Sequence, residues 1–393
     1  MPGPAERPYD IVLFGATGFV GRLTAEYLAL SAPADCRWAL AGRDLAKLTA
    51  VRDELARMNA GLGELPVRLA DVADESSLRD LAESTRVLAT TVGPYVLYGH
   101  EVVGACAAAG TDYLDLTGEP EFVHTTYLHH AATAERSGAR LVHAAGFDSV
   151  PHDLGAYFTV LHLPPDEALR IRGYVRASAT ISGGTFHSVL TALARPRANL
   201  RRARQRRNAE PEGREDRRAR AVMGSVHRDP VNGRWSLPFP SLDPQVVVRS
   251  ARALPRYGPD FRYAHYLQPG GLRATAGVLA GLGTVAVLAQ VPPARSALLR
   301  MNPPGRGPSA ERRARSWFTV TFVGDGGGER VVTRVSGGDP GYGETAKMLA
   351  ESAICLAHDD LPATAGQVTA AAAMGDSLIE RLQRAGITFE VLK

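Results

Sequence analysis

The stretch DIVLFGATGFVG, residues 10–21, joins a short apolar run to three glycines that are spaced three residues apart. Apolar residues then recur at helical spacing, at Val20, Leu23, Tyr27 and Leu30, and predict an amphipathic helix. A strand that leads through a glycine-rich turn into a helix is the usual start of a parallel α/β sheet. This stretch therefore predicts the first strand–loop–helix unit of such a sheet.

The same unit repeats over the first 145 residues. Five further short apolar runs follow, at residues 38–41, 67–70, 87–91, 113–116 and 141–144. Most of these runs are continuous rather than alternating, as in strands that are covered on both faces. Parallel neighbours need crossover connections, which the helical segments between the runs supply. We predict an α/β fold whose N-terminal part is a doubly wound, Rossmann-type parallel sheet.

After Pro151 the apolar runs become longer and often alternate, which predicts a second α+β domain of mostly antiparallel strands. Its predicted strands are residues 169–179, 245–251, 260–267, 317–323 and 330–335. Helices are predicted at residues 183–207, 342–358 and 374–385. The predicted domains are a dinucleotide-binding domain at 8–150, a substrate domain at 151–340, and C-terminal helices at 341–393 that pack back on the first domain.

Composition excludes several classes of protein. A hydrophobic fraction of 45% excludes a wholly disordered chain. Cys36, Cys106 and Cys355 lie far apart without a CxxC pair, which argues against a disulfide scaffold or a zinc ribbon, and we predict no metal site. The first eight residues do not resemble a secretory signal, so a cytoplasmic location is expected. Nothing in the sequence indicates the oligomeric state.

The net charge of +4 arises from one segment. Residues 195–220 contain eleven arginines and four acidic residues, so the rest of the chain is slightly negative. This distribution argues against nucleic acid as a partner of the whole protein. We predict that residues 195–220 form a mobile, arginine-rich surface loop, with the docking of an acidic carrier protein or a phosphopantetheine group as the alternative.

The glycine-rich turn has the properties of a pyrophosphate site. Gly15 permits a tight turn, Gly18 lets the backbone approach a phosphate, and Gly21 lets the helix pack closely on the sheet. Unpaired N–H groups and the positive helix end favour an anion there. The predicted cofactor-binding residues of this loop are Gly15, Thr17, Gly18, Phe19, Val20 and Gly21.

The residues after the second predicted strand favour NADPH over NADH. The sequence reads Ala41-Gly42-Arg43-Asp44, where an NAD-binding chain would carry an acidic residue in place of Arg43. A guanidinium can hold the 2′-phosphate in a bidentate way. The alternative is a solvated Arg43 next to Asp44 as a helix N-cap. Asp71, after the third strand, is predicted either to contact the adenine or to cap the next helix.

Several motifs, spread over essentially the whole chain, resemble the saccharopine dehydrogenase-like oxidoreductases, and most closely their bacterial trans-acting enoyl reductase branch. They are GATGFVG at Gly15, AGRD at Ala41, TTVGPYVLYG at Thr90, YLDLTGE at Tyr113, AAGFDSVPHDLG at Ala144, SGGT at Ser182 and GDPGYGETAKMLAESA at Gly338. The resemblance implies a Rossmann domain that binds NADPH. It also implies reduction of a carbon–carbon double bond in a polyketide or lipid intermediate held as a thioester.

Three loops at the carboxyl ends of predicted strands four to six converge where a hydride acceptor would lie. The backbone of Thr91, Gly93 and Pro94 is predicted to lie against the nicotinamide ribose. Enoyl reduction needs a donor for the developing oxyanion and a proton source. The candidate catalytic side chains are Tyr98, which is the first choice, Tyr95 and His152. For the two tyrosines, packing is the alternative role. No Tyr-x-x-x-Lys pair occurs, which argues against a short-chain-dehydrogenase mechanism.

An uncharged run extends from Ala274 to Val291. It has three interpretations: a buried domain helix, an apolar lid over an acyl chain, or a peripheral contact with a membrane surface. The predicted function is NADPH-dependent reduction of an α,β-unsaturated acyl thioester, with or without a carrier protein. One alternative is an imine or carbonyl reductase of the saccharopine type, for which Arg249, Arg252, Arg262 and Arg273 would bind substrate carboxylates. Another is a non-catalytic protein that binds a nucleotide or a lipid surface.

Overall fold

The computed structural model describes residues 7–178, 186, 190–191, 193–210, 217–229, 231–301 and 307–393. The SGGT motif at Ser182 and the first part of the helix predicted at residues 183–207 lie outside these ranges. The strands are β1 (Tyr9–Phe14), β2 (Trp38–Gly42), β3 (Val67–Leu69), β4 (Thr85–Thr90), β5 (Asp112–Leu114), β6 (Arg140–Val142), β7 (Leu169–Ser178), β8 (Arg218–Ala221), β9 (His227–Arg228), β10 (Trp235–Pro238), β11 (Asp260–Leu267), β12 (Trp317–Gly326), β13 (Glu329–Gly337), β14 (Gly366–Val368) and β15 (Thr388–Val391).

The helices lie between these strands in the order of the chain. They are α1 (Phe19–Ser31), α2 (Leu45–Met58), α3 (Glu75–Glu83), α4 (Tyr95–Tyr98), α5 (His100–Ala109), α6 (Pro120–Ser137), α7 (Val150–Leu161), α8 (Pro196–Ala209), α9 (Asp243–Ala253), α10 (Leu272–Ala289), α11 (Pro292–Met301), α12 (Ala310–Ala314), α13 (Gly343–His358), α14 (Ala370–Ala373) and α15 (Gly375–Arg384).

The first sheet has seven strands in the order β14-β6-β5-β4-β1-β2-β3. All of its neighbouring strands pair in parallel, which confirms the predicted Rossmann-type sheet. The seventh strand, β14, comes from the C-terminal part of the chain and was not predicted. With only three residues it is too short to show a period of its own.

The second sheet has the path β15-β13-β12-β7-β11-β10-β9, and β8 also pairs with β11. The pairs β7–β11 and β8–β11 are parallel. The other neighbours are antiparallel, including the predicted hairpin of β12 and β13. The prediction of a mostly antiparallel second sheet is therefore confirmed.

Residues 245–251 were predicted as a strand, and this prediction is wrong because they form the middle of α9. Three consecutive valines suggested a strand, since β-branched residues favour that state. However, Pro244 at the start of the segment suits the first turn of a helix. The buried side of α9, which includes Val247 and Ala251, packs against α7, so tertiary contacts override the local preference.

The arginine-rich segment 195–220 was predicted as a mobile loop, but the structure shows helix α8 and strand β8 within it. Arg206 anchors α8. Its side chain is buried, its guanidinium lies 4.1 Å from the ring centroid of Tyr127, and it donates hydrogen bonds to Glu210 and to the carbonyl oxygen of Val123. The composition of the segment indicates solvated arginines and does not indicate that Arg206 is buried.

The C-terminal helices contact both sheets. Most of α13 is buried, and it packs against α1, β1 and β4. Its Glu351 accepts a hydrogen bond of 2.6 Å from the Tyr27 hydroxyl of α1. Arg381 of α15 reaches back to Asp359, just beyond α13, with two hydrogen bonds of 2.6 Å. These contacts connect the end of the chain to the parallel sheet.

Helix α10 covers most of the uncharged run from Ala274 to Val291. Its described side chains are mostly exposed, and Val287 is 67% exposed. Ala289, at the end of the same helix, is buried, and the three interpretations of the run stay predictions. Within the residues that the structure describes, no helix has the length and apolar character needed to cross a bilayer.

Candidate functional site

The turn after β1 depends on its glycines. Gly15 has a φ of +90°, and a Cβ at this position would lie 2.8 Å from both Oγ1 of Thr91 and Cγ2 of Val92. A Cβ on Gly21 would overlap the carbonyl oxygen of Gly15. Gly18 has an extended backbone, and its amide donates to the Gly15 oxygen over 3.0 Å. A side chain at Gly21 would thus push α1 away from the turn, and one at Gly15 would collide with the loop after β4.

Helix α1 begins directly after this turn. Gly18 is its N-cap residue and provides no side-chain hydrogen bond to the first turn. The N–H groups of a helix start have no intrahelical acceptors, and they form a natural anion site. The ring of Phe19 packs edge-on against Tyr342 at 5.0 Å, and the Arg313 guanidinium lies 5.6 Å from that ring. Arg313 therefore brings a positive charge near the glycine loop, which the sequence analysis missed.

Arg43 follows β2 and is exposed, and its side chain makes no hydrogen bond or ion pair with the residues described. The neighbouring Asp44 caps α2 by accepting a hydrogen bond from the backbone of Lys47, and it pairs with the Lys47 ammonium at 3.0 Å. This side-chain contact with Lys47 holds the pKa of Asp44 below its usual value. The negative charge beside Arg43 is thus compensated, and the guanidinium is available to a ligand.

Asp71 lies at the carboxyl end of β3, as predicted. Its carboxylate accepts a hydrogen bond from the backbone of Ala73, and its own backbone N–H donates to the Ser77 hydroxyl. The N-cap of α3 is Asp74, which accepts from Ser76 and Ser77. Asp74, and not Asp71, therefore caps α3, and contact with the adenine stays the other predicted role of Asp71.

The loop after β4 is held against the glycine turn. Thr91 donates its backbone N–H to the carbonyl oxygen of Phe14 and its hydroxyl to that of Gly15, at 2.9 and 3.1 Å. The peptide bond between Gly93 and Pro94 is cis. The predicted ribose-contacting residues thus lie beside the predicted pyrophosphate loop.

The two candidate tyrosines of α4 have different surroundings. The Tyr95 hydroxyl is buried, donates to the carbonyl oxygen of Thr90 over 3.2 Å, and accepts from the backbone of Leu116 over 3.1 Å. Burial, together with the charge of Asp115, raises the pKa of Tyr95 well above its usual value. Tyr98 is 44% exposed, and its hydroxyl makes no hydrogen bond with the residues described. A ligand that arrives from solvent can therefore reach Tyr98 more readily than Tyr95.

A second pair of groups organises the loops after β5 and β6. Oδ2 of Asp115 lies 2.6 Å from Nδ1 of His143, while Oδ1 accepts from the backbone of Thr117 and Ala144. The other ring nitrogen of His143 is 3.0 Å from the Thr126 hydroxyl. Asp115 and His143 were not among the predicted site residues, because nothing local in the sequence shows that they are in contact.

His152 lies in the first turn of α7 and is buried, away from solvent. Its ring is 5.0 Å from that of His265 on β11 and 5.3 Å from that of Phe147. Nε2 of His152 is 4.0 Å from Oδ1 of Asp243, and Nε2 of His265 is 3.5 Å from Oδ2 of the same carboxylate. We call His152, Asp243 and His265 the His–Asp–His cluster. Burial lowers the pKa of His152 well below its usual value and that of His265 to about 3.

The chain is similar to known proteins over nearly its whole length. Residues 11–144 match the family described as the saccharopine dehydrogenase NADP binding domain. The chain is 38% identical to a putative trans-acting enoyl reductase of Mycobacterium tuberculosis, over 98% of each protein. It is 35% identical to a trans-acting enoyl reductase of Mycobacterium leprae, again over 98% of each.

Solved structures show the same fold. Saccharopine dehydrogenase (L-Glu forming) from Saccharomyces cerevisiae, in its apo form, aligns with 98% of this chain and 100% of its own, with a TM-score of 0.55 and 13% identity. At this identity the likeness concerns the architecture of both sheets and not the chemistry.

Proposed function

Because the chain belongs to the trans-acting enoyl reductases of the saccharopine dehydrogenase-like family, we propose that it reduces the double bond of an α,β-unsaturated acyl thioester with NADPH. The observation that carries this proposal is the sheet edge at the carboxyl ends of β1, β2 and β4, where we place the coenzyme cleft. There, an uncapped helix start, an unpaired Arg43 and the exposed hydroxyl of Tyr98 all border the same edge of the parallel sheet. Ligands of open parallel sheets bind at this edge.

The chain's residues fit a phosphorylated dinucleotide. The backbone of residues 15–21 offers N–H groups to a pyrophosphate, with Thr17, Phe19 and Val20 at the start of α1. Arg43 can bind the 2′-phosphate, Arg313 adds positive charge near Phe19, and Asp71 contacts the adenosine side. NADPH bound here would supply the hydride that reduction of a carbon–carbon double bond requires.

Thr91, Gly93 and Pro94 line the nicotinamide side of the cleft in this proposal. The hydrogen bonds of Thr91 to Phe14 and Gly15 hold this loop at a fixed distance from the pyrophosphate loop. Such fixed positioning of the two reactants contributes to catalysis by lowering the entropy cost of the reaction.

Tyr98 donates a hydrogen bond to the thioester oxygen as negative charge develops on it, and it is the proposed proton source for the α-carbon. Tyr95 is a positioning residue, since its hydroxyl is already used between Thr90 and Leu116. His152 is buried, and burial lowers its pKa, which disfavours the imidazolium form that a general acid needs. Of the three candidates, Tyr98 is therefore the proposed catalytic residue.

The alternative substrate class, a saccharopine-type imine with several carboxylates, finds less support. Arg252 pairs with Glu210 at 3.1 Å, and Arg262 pairs with Asp260 at 2.9 Å. Two of the four arginines available for such a substrate are therefore already paired with acidic side chains. This pairing favours the acyl thioester.

Helix α10 and the arginines of α8 form two neighbouring surfaces that suit an acyl chain and an acidic carrier protein. Gln290, just after α10, donates a hydrogen bond to the carbonyl oxygen of Leu193, just before α8. The exposed apolar helix α10 thus adjoins the arginines of α8, of which Arg201, Arg204 and Arg207 are exposed. We propose that α10 covers the acyl chain while these arginines contact an acidic carrier protein.

The test combines the purified chain, NADPH and a series of trans-2-enoyl thioesters of increasing length, first as coenzyme A esters and then on a carrier protein. Loss of NADPH absorbance should coincide with a product two mass units heavier, and the matching saturated thioesters should give neither. Binding of NADPH without turnover of any enoyl thioester would contradict the proposal. Replacing Arg201 and Arg204 with Glu should slow only the carrier-bound substrates.

A further inference from the structure

We propose that the His–Asp–His cluster is a binding site for a divalent transition-metal ion, with Zn²⁺ as the expected ion. His152, Asp243 and His265 lie on α7, α9 and β11, so that one ion would join the first turn of α7 to the second sheet. The three residues are far apart in the sequence, which explains why no ligand spacing indicates the site.

The distances between the donor atoms suit a small cation. One donor atom from each residue lies within 4.8 Å of the other two. The separations of 4.0 and 3.5 Å between the imidazole nitrogens and the Asp243 carboxylate are close to those of a tetrahedral site, where each ligand is about 2 Å from the ion. Small side-chain rotations would bring all three donors into coordination.

Burial indicates that these groups have a partner. The side chains of His152, Asp243 and His265 are 2, 6 and 1% exposed. Within the described residues, Nδ1 of His152 and Nε2 of His265 are buried and have no hydrogen-bond partner. Buried polar atoms in folded proteins almost always have one. Oδ1 of Asp243 also has no hydrogen-bond partner there, and the nitrogen of His152 that faces it, at 4.0 Å, is Nε2 rather than the unpartnered Nδ1. Two imidazoles beside a carboxylate form a donor set that suits Zn²⁺ and related metal ions.

The surrounding groups orient the proposed ligands. The Tyr263 hydroxyl lies 3.0 Å from Nδ1 of His265, which leaves Nε2 directed at Asp243. The Ser241 hydroxyl donates a hydrogen bond to Oδ2 of Asp243. Metal ligands in proteins are commonly held by such outer hydrogen bonds, which fix the tautomer and the ring position. Asp148 adds a further carboxylate whose charge acts on Asp243.

The direct test is the metal content of the full chain, purified without chelator or metal-affinity steps and measured by mass spectrometry of the elements. We expect about one Zn²⁺ per chain, as for a single structural or catalytic site. His265→Ala and Asp243→Asn should reduce the content at least tenfold. His129→Ala, which removes an exposed histidine, is the control and should keep the ion.

Loss of metal through misfolding is excluded by a second measurement on the unaltered chain. Co²⁺ added to chelator-treated protein should give visible absorption bands of a nitrogen–oxygen site, and Zn²⁺ should displace them. Zn²⁺ should also raise the Tm of the treated protein. The proposal is overturned if the purified chain holds no stoichiometric metal and neither ion changes the spectrum or the Tm. Neither readout depends on enoyl reduction.

Discussion

A carboxylate oxygen of Glu119 lies 2.8 Å from the backbone nitrogen of Val96, and the second oxygen lies 3.1 Å from that of Tyr95. Glu119 is buried and follows β5, whereas the two amides open α4 beyond β4. A single carboxylate thus caps the short helix that carries Tyr98. The loop after β5 thereby fixes the position of Tyr98, the proposed catalytic residue, which follows the neighbouring strand β4.

Glu119→Ala should therefore lower kcat more than it weakens NADPH binding. The change leaves two amides without their acceptor, which costs about 1–3 kcal/mol of unfolding free energy, and it lets Tyr98 move. Steady-state kinetics, NADPH titration by fluorescence and urea unfolding check this. Glu121→Ala, which breaks an exposed ion pair with Arg195, is the control. Equal behaviour of the two variants would argue against the positioning role.

Arg43→Ala should weaken NADPH binding selectively. Loss of a hydrogen-bonded charge pair with a phosphate corresponds to about 1.5–3 kcal/mol, or roughly a 10- to 100-fold increase in Kd. The Kd for NADH should hardly change. Calorimetric titration of both coenzymes measures the effect, and Arg57→Ala, which removes an exposed arginine at the far end of α2, is the control. An equal loss for the two coenzymes would show that Arg43 does not select the phosphate.

Gly21→Ala should damage both the fold and coenzyme binding, because its methyl group would overlap the Gly15 carbonyl oxygen. Gly281→Ala provides a contrast within a helix, since a Cβ there meets nothing within 4 Å. The second change should be neutral or stabilising by about 0.5–1 kcal/mol. Thermal unfolding and NADPH titration distinguish the two variants. A harmless Gly21→Ala would mean that α1 does not pack as closely as described.

Tyr98→Phe and Tyr95→Phe should affect different properties. Removing the exposed Tyr98 hydroxyl should reduce kcat about 100-fold, which is the lower range for loss of a general acid, with little change in stability. Removing the Tyr95 hydroxyl leaves the Leu116 amide unpaired and should cost about 1–3 kcal/mol of stability. Single-turnover kinetics and chemical denaturation measure these effects. Full activity of Tyr98→Phe would place the proton source elsewhere.

Low pH should weaken the attachment of α15 to α13, because Asp359 loses its negative charge and with it the ion pair with Arg381. Burial acts to raise the pKa of Asp359, but hydrogen bonds from Arg381 and Cys355 outweigh it and lower the pKa below its usual value. The folded state therefore gains stability above the ordinary carboxyl pKa and loses it as the pH falls through the lowered value. Asp359→Asn should cost about 1 kcal/mol at pH 7, since solvent partly screens the pair.

The cost of Asp359→Asn should shrink as the pH falls through the lowered pKa of Asp359, because the carboxyl of the unaltered chain then becomes protonated as well. Urea unfolding at several pH values measures the difference between the two proteins. Asp53→Asn, in an exposed ion pair with Arg52, should show no such dependence. A constant difference across the pH range would exclude the ion pair as its cause.

Local patterns were sufficient for six of the seven strands of the parallel sheet and for the glycine loop. The strand, turn and helix around Gly15 are contiguous in the chain, and the steric reason for Gly21 is the carbonyl group of Gly15, six residues earlier. The same holds for the hairpin of β12 and β13. In α9, by contrast, the valine run favoured a strand locally, and only the packing against α7 made it helical.

The parts of the site that escaped prediction depend on contacts between distant segments. Asp115 meets His143, Glu119 meets Val96, and Arg313 meets Phe19 only after the sheets have formed. A single sequence contains no signal for such pairs. The burial of Arg206 has the same origin, because Tyr127 and Val123, which cover it, belong to another helix.

The late position of β14 in the chain affects how the protein is made. This strand completes the edge of the first sheet next to β6, and β15 forms the edge of the second sheet next to β13. During synthesis, neither sheet can add its outer strand until residues 366–391 have left the ribosome. The two halves therefore do not mature one after the other as separate modules, although domains often do. In a nascent chain halted before residue 366, β6 and β13 would be edge strands with one side unpaired, which can pair with strands of other chains.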